Sequence, residues 1–284
     1  MNPPCALDAV ERTEPLLGSA AVGRRFVLIG WPKGQWGPKP MKSELFAPLQ
    51  AWASALDAKL GGKTVVRLFA DPADDGVEAR LFPLGRRVRA DGLEALPSAL
   101  DAALAEPEAF PAAPRTLAVC THGKHDACCA REGQGVYRAL STALSEARPP
   151  PATNPALEVV QSSHLGGHRF AATALDLVPG GPVRMYGRLR AEDAEPLLDR
   201  LTRGSVWLER YRGRADLPSA AQLVEAEALR RGAEDPIAVE LPSAARGVAT
   251  WAGGRVEVAL AEEAREGVKA CGGPVERWSR WVVA

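Results

Sequence analysis

The sequence predicts an α/β protein, α+β in its details: two mixed units in tandem and then a smaller α+β appendage. Three observations carry this. Short apolar runs rich in β-branched residues alternate with segments whose apolar residues recur at helical spacing. The same order of elements occurs twice, before and after a boundary at Pro107, Pro111 and Pro114. A chain of 284 residues also suits more than one core.

In chain order, a polar start with no expected structure leads to residues 25–30, an apolar run closed by Gly30 that reads as a buried strand. A tryptophan- and proline-bearing loop, 31–40, follows. Leu45, Phe46, Leu49, Trp52, Leu56 and Leu60 then fall at helical spacing, which predicts a helix over 43–60 stopped by Gly61 and Gly62. Residues 64–69 and 77–82 read as strands, 86–89 as a hairpin partner, and 93–104 as a helix. In the second unit a strand over 116–119 runs into Cys120. A helix over 136–144 is ended by the prolines at 149–151. A strand over 157–160 leads towards His164, and segments 171–177 and 183–186 flank a Pro-Gly-Gly turn as a hairpin. A helix over 193–201 closes the unit.

The second unit thus runs β-α-β-(short α)-β-β-α, the order of a thioredoxin-like domain. The first gives a shorter version, β-α-β-β-β-α, which predicts an internal duplication with loop 31–40 in the place of the cysteine-bearing loop. From about Leu217 the appendage is expected to hold a helix over 220–231, a hairpin over 247–261 turning at Gly253-Gly254, and a last strand over 278–283. The expected division is 1–110, 111–214 and 215–284.

Lys plus Arg and Asp plus Glu both number 35, so no net charge steers the chain to nucleic acid or an acidic membrane. No apolar run approaches the roughly 20 residues of a membrane span, and the start carries no signal-peptide pattern. Five unevenly spaced cysteines make no disulfide framework, so a reducing cytoplasm is expected.

The chemistry is concentrated in two places. All four histidines and three of the five cysteines lie in Cys120-Thr-His122-Gly-Lys-His125-Asp-Ala-Cys128-Cys129 and His164-Leu-Gly166-Gly167-His168. Thiolates and imidazoles bind soft and borderline transition metals, so a metal or iron–sulfur centre is expected. Cys120 and Cys129 enclose eight residues, more than the two to four of a compact zinc knuckle. Two cysteines and two histidines are the ligand set of a Rieske-type [2Fe–2S] centre, although there each of two loops gives one of each. Cys128 is the rival of Cys129. His122 and His125 are expected to support the ligands or face solvent, and Cys5 and Cys271, which have no metal-like neighbours in the sequence, to be structural or incidental. Trp31 and Trp36 read as packing residues. Arg131, Arg169, Arg184 and Arg188 read either as a solvated face or as a basic rim.

These words resemble a known family. Cys-x8-Cys followed by Ser163-His164-Leu-Gly-Gly-His168-Arg-Phe-Ala, together with Cys120-Thr-His-Gly, Asp126, Cys129-Ala-Arg and Tyr186-Gly-Arg188, resembles the sucrase/ferredoxin-like family of thioredoxin-fold ferredoxins. The resemblance runs from Leu117 to about Arg190 and is weaker over 1–110. It implies a thioredoxin-like ferredoxin domain preceded by a degenerate thioredoxin-like one, and a bis-histidinyl [2Fe–2S] cluster held by Cys120, Cys129, His164 and His168. No paired-carboxylate site supports a sucrase activity.

The function this implies is one-electron transfer or redox sensing, proton-coupled through the ligating imidazoles, with another protein as redox partner because no flavin or nicotinamide fingerprint is present. Two neutral imidazoles in place of two thiolates remove two negative charges from the iron, which raises the potential above that of all-cysteine ferredoxins. The alternatives are a structural zinc site on the same four residues and a thiol–disulfide oxidoreductase using Cys120 with Cys128 or Cys129.

Overall fold

A computed structural model describes residues 5–72, 76–146 and 156–284, so the expected helix stop at prolines 149–151 lies outside the described residues. Among the described residues the strands form two sheets, one of nine strands and one of four. The large sheet begins with β1 (Arg25–Trp31), whose interior is buried throughout. It pairs in parallel with β2 (Thr64–Ala70) and antiparallel with β3 (Val77–Phe82), and β4 (Arg86–Ala90) closes that edge. The second half repeats the pattern. Strand β5 (Arg115–Cys120) runs parallel to β6 (Leu157–Ser162) and antiparallel to β7 (Ala174–Leu177), with β8 (Val183–Tyr186) beyond it and β9 (Tyr211–Arg214) at the edge.

The strand order is β4-β3-β1-β2-β6-β5-β7-β8-β9. Read outward from the middle, each half runs second, first, third, fourth strand. The expected duplication is therefore visible as two thioredoxin-like arrangements back to back in one sheet. They meet at a seam of one antiparallel pair, Phe69 with Ser162. Phe69 pairs with Gly30 and Ser162 with Cys120, so Gly30 is the counterpart of Cys120. Two residues past the seam, Asp71 is likewise the counterpart of His164.

Strand alternation distributes the cores. Val27, Ile29, Val66 and Leu68 pack under helices α2 (Ala47–Leu60) and α3 (Leu96–Ala105). Leu117, Val119 and Ala174 pack under α4 (Ala127–Glu146) and α5 (Ala194–Thr202). The opposite residues of both halves, among them Phe26, Leu28, Phe69, Ala118, Leu175 and Met185, share a central core with Cys120 and Cys129. The site borders that shared core.

The structure adds elements the sequence pattern did not reveal. Helix α1 (Cys5–Glu11) replaces the expected structureless start. Strand β9 extends the second half. In the appendage, α6 (Ser219–Arg230) lies on a sheet of β10 (Ala238–Ser243), β11 (Arg246–Trp251), β12 (Gly254–Val268) and β13 (Val275–Val283). Helix α4 starts nine residues before the expected position, which moves Cys128 and Cys129 from a loop into its first turn. No helix among the described residues is long and apolar enough to cross a membrane.

Candidate metal centre

Strand β5 carries Cys120 to the seam, where its thiol is buried. The chain then turns, and the Asp126 carboxylate accepts the Cys128 N–H at 2.9 Å, satisfying an orphan donor of the first turn of α4. That start fixes Cys129 beside Cys120. Gly133 lets α4 lie this close, because a Cβ there would overlap the carbonyl oxygen of Cys120. On the other side, the Ser163 N–H donates to Leu68 at 2.8 Å and the Ser163 hydroxyl accepts the Leu68 N–H at 2.9 Å. Both bonds cross the seam immediately before His164. Gly166 and Gly167 have φ of +95° and +71°, the left-handed region that glycine tolerates, and they turn the chain so that His168 follows.

The donor atoms of Cys120, Cys129 and His164 lie within 4.8 Å of one another, with Cys129 Sγ 3.6 Å from His164 Nδ1. A second group, equally tight, joins His164 to His168 and His125. Of the four ligands the sequence implied, three therefore share one group and His168 adjoins it through His164. His168 Nδ1 lies 3.1 Å from Asp126 Oδ2 and 3.3 Å from Cys5 Sγ, which leaves Nε2 as the donor for a metal. His125 stacks on His164 at 3.8 Å between ring centroids.

The first half orients the remaining imidazoles. His122 Nδ1 accepts the His164 N–H at 3.3 Å, so Nε2 carries the proton and donates to Gly37 O at 2.9 Å. Both ring nitrogens are engaged, which takes His122 out of the ligand set. His125 Nδ1–H donates to Pro38 O at 2.9 Å, and Lys124 donates to Gly34 O at 3.1 Å. Trp36, almost wholly buried, meets His122 edge-on at 5.7 Å and donates its indole N–H to Trp31 O.

The electrostatics set the two thiols apart and keep three of the imidazoles neutral. The Cys120 thiol is held well below the ordinary thiol range, chiefly by hydrogen bonding with Cys129, with His164 and the His122 backbone adding. Cys129 is correspondingly pushed up by Cys120 and by burial. Burial lowers His122, His125 and His168, so their rings are neutral, the form that coordinates metals. Lys33 and Arg67, both lowered by burial, feel the charge of Cys120. Arg67 Nε is buried and has no partner among the described residues, a donor left over for an anionic group beside Cys120.

A family model described as sucrase/ferredoxin-like matches residues 16–213. The chain belongs to the sucrase/ferredoxin-like family. No curated protein and no solved structure matches it. The donor set suits the group the family resemblance implies, since buried thiols and half-buried imidazoles adjoin an unpartnered guanidinium N–H.

For this sucrase/ferredoxin-like protein two expectations need correction. The basic rim does not form: Arg169 is paired with Glu14, Arg184 with Asp235, and Arg188 donates to the carbonyls of Ala9 and Glu14, leaving Arg131 beside Cys128 at 3.6 Å. Nor do Cys5 and Cys271 lack metal-like neighbours. Folding brings them to Cys128 and Asp126, and these four donors also lie within 4.8 Å of one another. Cys128 is held down at about 6 by hydrogen bonds from Cys5 and then Cys271, while Cys5 is pushed up by Cys128 and by burial. Burial alone would raise Asp126, but the N–H groups of Cys271 and Cys128 outweigh it and lower it. Sequence separation hid this group; the cysteine count was its only signal.

Proposed function

We infer that this sucrase/ferredoxin-like protein is an electron carrier in which Cys120, Cys129, His164 and His168 hold a [2Fe–2S] cluster. The observation that carries the reading is the convergence of two buried thiols and two half-buried imidazoles at the seam, beside an unpartnered Arg67 N–H. When bound, such a cluster supplies a one-electron couple.

The chain's own residues do the rest. The shared core keeps water from Cys120 and Cys129. Lys33 and Arg67 place positive charge near Cys120, which favours the more negative, reduced state. The Asp126 carboxylate lies 3.1 Å from His168 Nδ1, and a proton on that nitrogen is the one an electron would draw tighter, which is the basis of a proton-coupled role. His168 keeps 16% of its side chain exposed, so the imidazole side faces the approach of a redox partner protein. The five cysteines are free thiols, which suits a reducing cytoplasm. We propose residues 1–110 as a degenerate thioredoxin-like unit that orients the site, 111–214 as the ferredoxin unit, and 215–284 as an appendage.

The test is iron and acid-labile sulfide analysis, absorption and electron paramagnetic resonance of protein purified anaerobically. About two irons and two sulfides per chain, with a signal in the reduced state, are expected. A colourless protein holding zinc on Cys120 and Cys129 would overturn the reading for structural zinc. A metal-free Cys120–Cys129 disulfide would overturn it for thiol chemistry.

A further inference from the structure

The geometry points to a second metal site, for one zinc ion, made by Cys5, Cys128, Cys271 and Asp126. The three sulfurs form a closed triangle. Cys128 Sγ lies 3.0 Å from Cys271 Sγ, Cys5 Sγ lies 3.4 Å from Cys271 Sγ, and Cys5 Sγ lies 3.6 Å from Cys128 Sγ. The fourth donor is Asp126, whose Oδ1 is 4.0 Å from Cys5 Sγ.

Zn–S bonds of about 2.3 Å set tetrahedral sulfurs roughly 3.8 Å apart. The triangle therefore needs to open by only a few tenths of an ångström at most of its edges to admit the ion. Three thiolates and a carboxylate are a donor set that zinc accepts in closed, four-coordinate structural sites. Each thiol that is still protonated gives up its proton to solvent as the ion binds, and no redox change is involved. A disulfide is the poorer account, since pairing any two sulfurs leaves the third buried against them without a bond.

The carboxylate is already oriented as metal ligands are. Asp126 Oδ1 accepts the Cys128 N–H, and Oδ2 accepts the Cys271 N–H at 3.1 Å, so the backbones of two ligands position the third. The ligands come from three separated places: helix α1, the first turn of α4, and the turn between β12 and β13. Cys5 and Cys271 are 266 residues apart and both fall outside the family match at 16–213. Two of the four donors therefore lie outside the region that the family model matches and two inside it. It would fasten helix α1 to the turn between β12 and β13 beside His168, whose Nδ1 lies 3.3 Å from Cys5 Sγ.

The proposal does not depend on the cluster reading, because zinc and iron are counted separately. Full-length protein is expressed with zinc supplied, purified anaerobically and analysed for both metals. The wild type is expected to hold about one zinc per chain. Cys5→Ser and Cys271→Ser should each lower it at least about tenfold while leaving iron and the visible spectrum unchanged. Cys120→Ser should keep the zinc. As a second measurement, cobalt loaded in place of zinc should show a sulfur-to-cobalt charge-transfer band that Cys271→Ser removes. A wild type with no more zinc than the Cys5→Ser/Cys271→Ser double variant would overturn the proposal. So would zinc lost on Cys120→Ser but kept on Cys271→Ser, or iron lost on Cys5→Ser.

Discussion

Two halves of one sheet share a strand order and divide the work of the site between them. At the seam the second half presents Cys120 and His164, where the first presents Gly30 and Asp71. In the first half no side chain stands at position 30, and Asp71 lies where a Cβ on Gly30 would be. The loops that follow differ in the same way. The one after β5 carries His122 and His125, and the one after β1 offers those rings the carbonyls of Gly37 and Pro38. A repeated fold therefore makes one site of two unlike parts, donors from one copy and orientation from the other.

That contrast is broken most severely through the donors. Cys120→Ser, Cys129→Ser, His164→Ala and His168→Ala should each lower bound iron at least about tenfold. Cys128→Ser should leave iron in place. Iron retained with an unchanged spectrum in Cys129→Ser would make Cys128 the ligand and undo the assignment.

The next effect concerns β9, which has no counterpart in the first half. There Tyr211 donates to Glu225 at 2.9 Å in a buried contact with α6. Burial raises the Glu225 carboxyl from 4.5 to about 7 despite the opposing pull of Arg184 and Arg214. Between those values the unfolded chain loses a proton that the folded one keeps. The stability from this group is full below pH 4.5 and is lost as pH rises through about 7. The total is about 3 kcal/mol. Glu225→Gln should abolish that decline, so the two proteins' denaturation free energies diverge by about this amount from pH 4.5 to pH 7.5. Parallel curves would show that Glu225 is ionised when folded.

The smallest effects compare one glycine from each half. Gly133→Ala sets a Cβ on the backbone oxygen of Cys120, which cannot move without shifting β5, and should cost about 1–3 kcal/mol together with some bound iron. Gly30→Ala meets the side chain of Asp71 rather than a backbone oxygen of a strand, and should cost less than Gly133→Ala with iron unchanged. Equal losses from the two variants in a denaturation series would erase the distinction between the halves.

Much of this was legible in the sequence, because the strands are apolar runs and the donors are crowded in a chain poor in both residue types. What was hidden has physical reasons. The Tyr211-Arg-Gly-Arg segment does not read as apolar, yet Arg212 is buried because its guanidinium donates to the carbonyls of Gly166 and Ser19. The start of α4 carries Gly133 and Gly135, poor helix formers, and it is the Asp126 cap that begins the helix earlier. The triangle of Cys5, Cys128 and Cys271 depends on where the appendage lies, which no local pattern encodes.

The single residue pair at the seam limits the portability of the site. A fragment holding only residues 111–214 would keep every donor the family resemblance names. It would also strip His122 of Gly37, His125 of Pro38, and Ser163 of both its bonds to Leu68. It would further open to water the face of the shared core that the first half covers, where Ala118, Leu175 and Met185 pack with Phe26, Leu28 and Phe69. The second half is therefore not a cassette that can be transplanted: part of its geometry is stored in its neighbour.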